Sequence, residues 1–268
     1  MFKKLRFDTL MYIRLVRMTL RGRLQYRSDF WTSLVGVVIL NGVNIAQVSV
    51  LAWRFNMIGG WSIGDLMILY GMFSISWSLY TIFFVRTKEL GNEITTGIFD
   101  QYLIRPMSPF LQFISREFQY VGLCDSMWGI TLIIYGYHLS AIHWIASDIF
   151  LLLIFILCGA AIMAAIQVII ATISFWTIRA ESLQGIIMQL TFLTRKFPIS
   201  IFGNWFKVIV TCFIPVAYLN YYPVAYLLKK PDVSIWVSFQ SPVVMILLCF
   251  FATVLWKYGT RKYQSTGS

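Results

Sequence analysis

Long apolar runs, bounded by charged or small polar positions, dominate the pattern of this sequence. Several of them extend for about 20 residues almost without charge, the length that a helix needs to cross a hydrocarbon core of about 30 Å. The runs are continuous and do not alternate between apolar and polar positions, so they favour helices and not barrel strands. Spans are predicted at residues 30–53, 65–85, 121–137, 148–178, somewhere within 183–219, and 236–258, which makes a six-helix transmembrane bundle.

The fifth apolar stretch is interrupted. Its first run, residues 183–194, is too short to cross a bilayer alone. The residues that break the pattern after it are Arg195, Lys196, Pro198, Gly203 and Asn204. Irregular backbone is tolerated at membrane depth only where protein or water covers it. We therefore expect a broken or re-entrant element before the last span.

Composition identifies the bilayer as the solvent of this chain. Hydrophobic residues make up 59% of the sequence and charged residues 12%, with a mean hydropathy of +0.73. A soluble domain carries about 25% charged residues because its surface must stay in water. The sequence therefore predicts an all-α integral membrane protein with one transmembrane domain at residues 30–258 and a short tail at 259–268.

The basic residues indicate an orientation. Most of the 22 Lys and Arg residues lie in the N-terminal segment 1–29, in the loop 86–120, directly after the fourth span at Arg179, and in the tail. Positive residues concentrate on the cytoplasmic side of membrane proteins. Both termini and the loop 86–120 are therefore expected in the cytoplasm, and Arg195 and Lys196 on the outer side.

The N-terminal segment 1–29 is basic and mildly amphipathic. On a helix, Ile13, Val16, Leu20 and Leu24 fall along one side, with arginines beside them. This pattern is typical of a helix that lies in the interface next to anionic headgroups. A nucleic-acid-binding arm is the competing interpretation of such charge. The apolar row and the adjoining span argue against it, so no nucleic-acid partner is expected.

The long polar loop 86–120 has helical periodicity of its own. Leu90, Ile94, Ile98 and Tyr102 are spaced by four and line one side of a helix, while the acidic residues Glu89, Glu93 and Asp100 lie off that row. Arg105 and Pro106 end this helix, because the residue before proline disfavours the α region. Ser108 and Pro109 give a helix-start signal. The loop is predicted to be a short amphipathic helix, a break, and a second helix that continues into the third span.

Residues that carry enzyme chemistry do not assemble into a recognisable motif. The sequence contains no GxxxxGK[ST] loop that could cradle phosphates, and no HExxH or GxSxG motif. Its four cysteines are scattered without CxxC spacing, which argues against a metal or redox site. The chain is expected not to be an enzyme and to bind no cofactor itself.

Polar residues inside the predicted spans have two competing interpretations. The set consists of Asn41, Asn44, Gln47, Gln167 and Gln189. They could line a path for a cargo, or they could form hydrogen bonds between helices. Of the acidic residues, Asp65 and Asp148 lie near span ends, where they reach water, and Asp125 is the one expected inside the membrane.

The loop carries a family resemblance. Within EITTGIFDQYLIRPMSP, a glycine at position 97 is followed after five residues by Leu103, and then by Arg105 and Pro106. This pattern resembles the cytoplasmic loop before the third span in six-span ABC-2 type permeases. The resemblance extends to Phe-Trp at residues 175–176 and to proline motifs at residues 197–198, 214–215 and 222–223.

The resemblance implies a partnership and a role. It implies a permease subunit that pairs with an identical or related permease in the bacterial cytoplasmic membrane and sits on two ATP-binding subunits, which hold ATP and Mg²⁺. The loop would act as a coupling helix, with Glu89, Glu93, Gly97, Arg105 and Pro106 making or shaping the contact. The expected function is export of an amphipathic or hydrophobic compound, such as a drug, an antibiotic, an organic cation or a peptide. Multidrug or antibiotic resistance is the expected consequence.

Two other classes remain open from the sequence. A secondary transporter driven by an ion gradient usually carries several buried charges and paired repeats with broken helices. A membrane enzyme acting on lipid needs His, Asp or Cys clustered at one membrane face. The sequence shows neither arrangement clearly.

Overall fold

The computed structural model describes residues 2–24, 27–55, 57–140, 142–177, 180–231 and 233–264. In these ranges the regular elements are helices, apart from one short bridge between Ile58 and Trp61. They are α1 (Phe2–Leu24), α2 (Arg27–Phe55), α3 (Ile63–Phe84), α4 (Leu90–Thr95), α5 (Asp100–Leu103), α6 (Pro109–Ser115), α7 (Gly122–Leu139), α8 (Ala146–Thr172), α9 (Ala180–Lys196), α10 (Asn204–Val208), α11 (Tyr221–Leu227), α12 (Ile235–Ser238) and α13 (Ser241–Lys262). The prediction of an all-helical chain is confirmed over the residues described. Arg179 and residues 265–268 of the tail lie outside them.

Three helical stretches within the ranges described are long and apolar enough to cross a membrane. They are Ile63–Thr95, Ala146–Phe175 and Ser241–Lys262, which overlap the second, fourth and last predicted spans. A fourth candidate is the helix pair Asn204–Phe213 and Val216–Leu227, bent by 81°. The chain is therefore a multi-pass membrane protein, and the count of six spans stays a prediction.

Helices also occupy the remaining predicted spans. α2 contains residues 30–53, although its apolar part is shorter, at Leu34–Gln47, and α7 covers residues 122–139. The interrupted stretch contains α9 and then the bent pair, so the expected break is present. α13 begins at Ser241, later than the predicted start of the last span, because a proline occupies its first turn.

Glycines bring α3 and α7 into backbone contact. A Cβ on Gly71 would lie 2.6 Å from the carbonyl oxygen of Gly129, and a Cβ on Gly136 would lie 2.7 Å from that of Gly64. Residue 64 faces 136 and residue 71 faces 129, so the two helices are antiparallel. Small residues allow this approach between membrane helices, where close packing replaces the hydrophobic effect as the driving force.

Gly159, on the small-residue face of α8, packs inside the subunit. A Cβ on Gly159 would lie 2.7 Å from the carbonyl oxygen of Leu219 and 2.8 Å from the Ser76 hydroxyl. The Ser76 hydroxyl also donates to the carbonyl oxygen of Ile156 at 3.1 Å. The sequence left open whether this face packs within one subunit or between subunits, and for Gly159 the contact is internal.

One end of the bundle is held by a buried ion pair. The Asp65 carboxylate caps α3 by accepting from the Ser62 amide at 2.9 Å, and it pairs with the Lys230 ammonium at 2.7 Å. The Ser140 hydroxyl donates to it at 3.2 Å. The expectation that Asp65 reaches water is wrong, because Ser62 in the adjoining turn and two partners from distant parts of the chain, Ser140 and Lys230, compensate for its burial.

The N-terminal segment is helical, as predicted, and it packs on α6. The Thr19 hydroxyl lies 3.5 Å from the carbonyl oxygen of Ser115 and donates to it, and Tyr12 packs against the core between the loop, α8 and α13. Ile13 is exposed, while the side chains of Leu20 and Leu24 lie outside those described. A position of α1 in the membrane interface stays a prediction.

Candidate functional site

The loop 86–120 is a compact hairpin of short helices. A 3₁₀ segment, Val85–Glu89, leads into α4. Gly97 then adopts a φ of +69°, a left-handed conformation that favours glycine and ends α4 with a turn. The predicted helix is therefore divided into α4 and α5. The second helix, α6, stops at Ser115. The prediction that it continues into the third span, α7, is therefore wrong.

Glu93 is the centre of a buried ion network. Its side chain is 1% exposed, and one carboxylate oxygen pairs with the Arg86 guanidinium, whose Nε lies 3.0 Å away. The Tyr102 hydroxyl donates to the other oxygen at 2.9 Å. Arg86 also pairs with Glu117 at 3.6 Å. The sequence placed Glu93 on the polar side of the helix, and this is wrong, because Arg86 and Tyr102 supply the charge and hydrogen bond that burial requires.

Tyr102 joins the two arms of the hairpin. Burial and the negative charge of Glu93 raise the pKa of Tyr102 well above its ordinary value, so the hydroxyl stays protonated and donates. The Arg116 guanidinium lies 4.7 Å from the centre of its ring. Gln112 donates to the carbonyl oxygens of Tyr102 and Met107 at 3.1 and 2.6 Å, which ties α6 to α5.

Aromatic rings seat the hairpin on the ends of α8 and α13. The ring of Phe99 lies 5.1 Å from that of Phe175, at the end of α8. Trp256 of α13 lies 5.0 Å from Phe110 and 5.9 Å from Phe113. Aromatic pairs at such distances add to the stabilisation from burial. The hairpin therefore forms one packed unit with two of the candidate spans.

The tip of the hairpin points away from this base. We define the tip as residues 103–106, where Leu103 is 45% exposed, Ile104 is 84% exposed, and Arg105 and Pro106 are also exposed. Of the other predicted coupling residues, Glu89 is exposed, Gly97 is half-buried and Glu93 is buried. Sequence reasoning missed Ile104, although an apolar residue out of register with the buried row, next to Arg-Pro, was a readable signal.

The polar residues of α2 make separate contacts. The Asn41 amide donates to Asp125 at 2.8 Å and accepts from the Tyr70 hydroxyl at 3.1 Å, which links α2, α7 and α3. Asn44 donates to the backbone of its own helix at 2.8 Å. The side chain of Gln47 accepts from the Lys196 ammonium at 3.1 Å.

The other two candidate cargo-path residues lie elsewhere. Gln167 is buried in α8 and accepts from the Gln184 amide at 2.9 Å, while Gln189 is exposed on α9. The structure thus brings Asn41 and Gln167 into helix-to-helix hydrogen bonds and does not gather the five residues around one cavity. Their part in a cargo path stays a prediction.

Arg195, at the end of α9, packs its side chain among aromatic rings, and its place on the outer side stays a prediction. Its guanidinium sits 4.7 Å from the ring centre of Tyr70 and 5.0 Å from that of Phe192, and it interacts electrostatically with Asp125. Aromatic rings stabilise a cation that has lost water. These contacts were not predicted, because Tyr70 and Asp125 come from helices far earlier in the sequence.

These features define a class: a multi-pass helical membrane protein whose polar loop is folded onto the ends of two candidate spans. The family model described as ABC-2 family transporter protein matches residues 38–267. The chain belongs to this family, as the sequence resemblance indicated. Members are transport subunits and not enzymes, and they work with ATP-binding subunits. No curated protein and no solved structure shows a significant match to the chain.

Proposed function

We propose that this chain is the membrane-spanning permease of an ATP-driven exporter, with six spans and both termini in the cytoplasm of a bacterial cell. It pairs with an identical or related permease and with two ATP-binding subunits, which bind ATP and Mg²⁺. The cargo is an amphipathic or hydrophobic compound, such as a drug, an antibiotic, an organic cation or a peptide. Resistance to such compounds is the expected phenotype.

The exposed tip on a buried base carries this proposal. A force applied by a moving ATP-binding subunit reaches the spans only through an element that both proteins hold firmly. The hairpin meets this need, because the Glu93 network and the rings around Trp256 hold its base, while the tip at 103–106 is exposed to a partner.

The tip also indicates the chemistry of the partner surface. Burying one large aliphatic side chain such as Ile104 contributes about 1.5–3 kcal/mol. The neighbouring Arg105 matches a carboxylate at the rim of the same surface. We expect an apolar socket with an acidic edge on the ATP-binding subunit. Among the predicted coupling residues, Arg105 and Pro106 then touch the partner, while Glu93 and Gly97 shape the hairpin.

The test is Ile104→Asp in the tagged chain purified from its native membrane. The ATP-binding subunit that copurifies with the unchanged chain is identified first. The amount of ATP-binding subunit that copurifies should fall at least about tenfold in the variant, because a carboxylate cannot enter an apolar pocket without a large desolvation penalty. Thr96→Asp, which adds the same charge at an exposed position away from the tip, is the matched control.

Two results would contradict the proposal. One is retention of the ATP-binding subunit by Ile104→Asp at the level of Thr96→Asp. The other is labelling of a cysteine at position 96 by a membrane-impermeant thiol reagent added outside intact cells, which would place the hairpin on the outer face.

A further inference from the structure

An apolar groove runs between α8 and α13 beneath the hairpin. Its volume is about 450 Å³. One wall is made by small residues of α8, from Ala161 to Val168, and the other by α13, from Cys249 to Thr260. Phe84 and the start of α6 close one end. The α8 residues that line the groove are three alanines and a valine, whose small side chains leave this space beside α13.

Water is a poor occupant of this groove. Apolar cavities stay dry because a buried water needs two to four polar partners, and the α8 residues that line the wall from Ala161 to Val168 are alanines and a valine. Both walls belong to helices that qualify as membrane spans. The medium beside such helices is lipid, so an acyl chain is available to fill the groove.

The length of the groove matches one leaflet. From Cys249 to Thr260 the lining extends about 16 Å along α13, at 1.5 Å per residue. Half of a hydrocarbon core of about 30 Å is about 15 Å. α8 and α13 run in the same direction, since Gly259 of α13 lies against Thr172 and Phe175 at the end of α8. The groove therefore begins near mid-span and ends at the hairpin.

The polar lining is concentrated near the hairpin end. Lys257 and Thr260 of α13 and Ser108 of the hairpin line the groove there. Arg261 and Lys262 follow within the next turn and are exposed. Basic residues at a span end attract anionic headgroups, with about 1 kcal/mol for each Lys or Arg near the surface.

We propose that this groove is a binding site for an anionic phospholipid, with one acyl chain between α8 and α13 and the phosphate at Lys257. The bound lipid touches both spans and the first turn of α6, so it stiffens the seat of the hairpin. The inference does not depend on the proposed export function, because the site lies within this chain and binding requires no ATP-binding subunit.

The test uses the full purified chain in phosphatidylcholine vesicles. The probe is phosphatidylglycerol with a photoreactive diazirine in its acyl chain, compared with phosphatidylcholine carrying the same label. Light should attach the anionic probe to peptides from residues 161–168 and 249–260. Ala161→Phe should abolish this labelling by filling the groove. Ala146→Phe, the same change at an exposed position at the other end of α8, should leave it unchanged.

Two variants that each remove one positive charge test the headgroup contact. Lys257→Gln should weaken labelling by the anionic probe about fivefold, which corresponds to about 1 kcal/mol, while Lys262→Gln, outside the groove lining, should have a smaller effect. Equal labelling by both lipids, or unchanged labelling of Ala161→Phe, would overturn the proposal. So would disulfide formation between two copies of Thr253→Cys in the same vesicles, because a second permease would then fill the groove.

Discussion

Replacing Glu93 by alanine removes the centre of the network that holds the hairpin. Loss of one partner from a buried ion pair costs about 3–5 kcal/mol, because the other charge is left uncompensated. Arg86 keeps Glu117 at 3.6 Å and is partly exposed, which points to the lower end of that range. Tyr102 loses the acceptor of its buried hydroxyl as well, which costs about 1–3 kcal/mol. We expect a net loss of at least about 3 kcal/mol.

Thermal unfolding of the purified chain in detergent measures this loss. About 3 kcal/mol corresponds to a fall in Tm of about 6–12 °C for a chain of this size. Reaction of a thiol-sensitive dye with the buried Cys158 reports the transition. The control is Glu89→Ala, an exposed carboxylate of the same hairpin, which should change stability by less than about 0.5 kcal/mol.

A double variant separates the pair from general damage. Glu93→Ala combined with Arg86→Met should be less destabilised than the sum of the two single changes, because neither the Glu93 carboxylate nor the Arg86 guanidinium is left without the other. Equal Tm values for Glu93→Ala and Glu89→Ala, or strict additivity of the two changes, would refute the ion network as the support of the hairpin.

Two further predictions test the contacts between helices, again by Tm. Gly71→Ala should cost about 1–3 kcal/mol, because its Cβ would stand 2.6 Å from a backbone oxygen of α7; Gly185→Ala, with nothing within 4 Å, should be neutral or stabilising, and an equal effect of both would contradict the close helix contact. Asp65→Ala should cost at least about 2 kcal/mol more than Asp148→Ala, because both carboxylates cap a span but Asp65 also pairs with Lys230; equal effects would contradict that ion pair.

Hydropathy alone was sufficient for the spans that are apolar along their whole length. α3, α8 and α13 were predicted because the thickness of the bilayer sets a minimum length for a span, and because backbone amides in lipid must form their hydrogen bonds within a helix. The start of α13 was misplaced, since a sum over apolar residues does not register the helix-start signal of the proline at position 242, in the first turn of α13.

The close contact of α3 with α7 was readable but not recognised. Gly64 and Gly71 are seven residues apart, and so are Gly129 and Gly136. A repeat of seven keeps small residues on one face of a helix over two turns. The small residues of α8 repeat every four positions and are more numerous, so they dominate the pattern and hide the sparser repeat in α3 and α7.

The placement of charges was the main failure of sequence reasoning. Glu93 was assigned to the polar side of a helix, because an isolated charge is costly to bury, and the contacts of Arg195 inside the subunit were not predicted. Glu93 is buried and Arg195 is half-buried, each beside groups that no local pattern reveals. Arg86 and Tyr102 reach Glu93 from seven residues before it and nine after it, and only the turn at Gly97 brings Tyr102 back.

This burial changes which substitutions report on coupling. Charge reversal at Glu93 would report on the contact with a partner only if the Glu93 side chain were exposed on the surface of the hairpin. In the folded hairpin the arginine of Glu93→Arg would instead stand against Arg86 with little exposure, and repulsion between the two cations would disrupt the base. Loss of transport in that variant would therefore report on folding. Ile104 and Arg105 are exposed, so substitutions there change the surface offered to a partner while the Glu93 network stays intact.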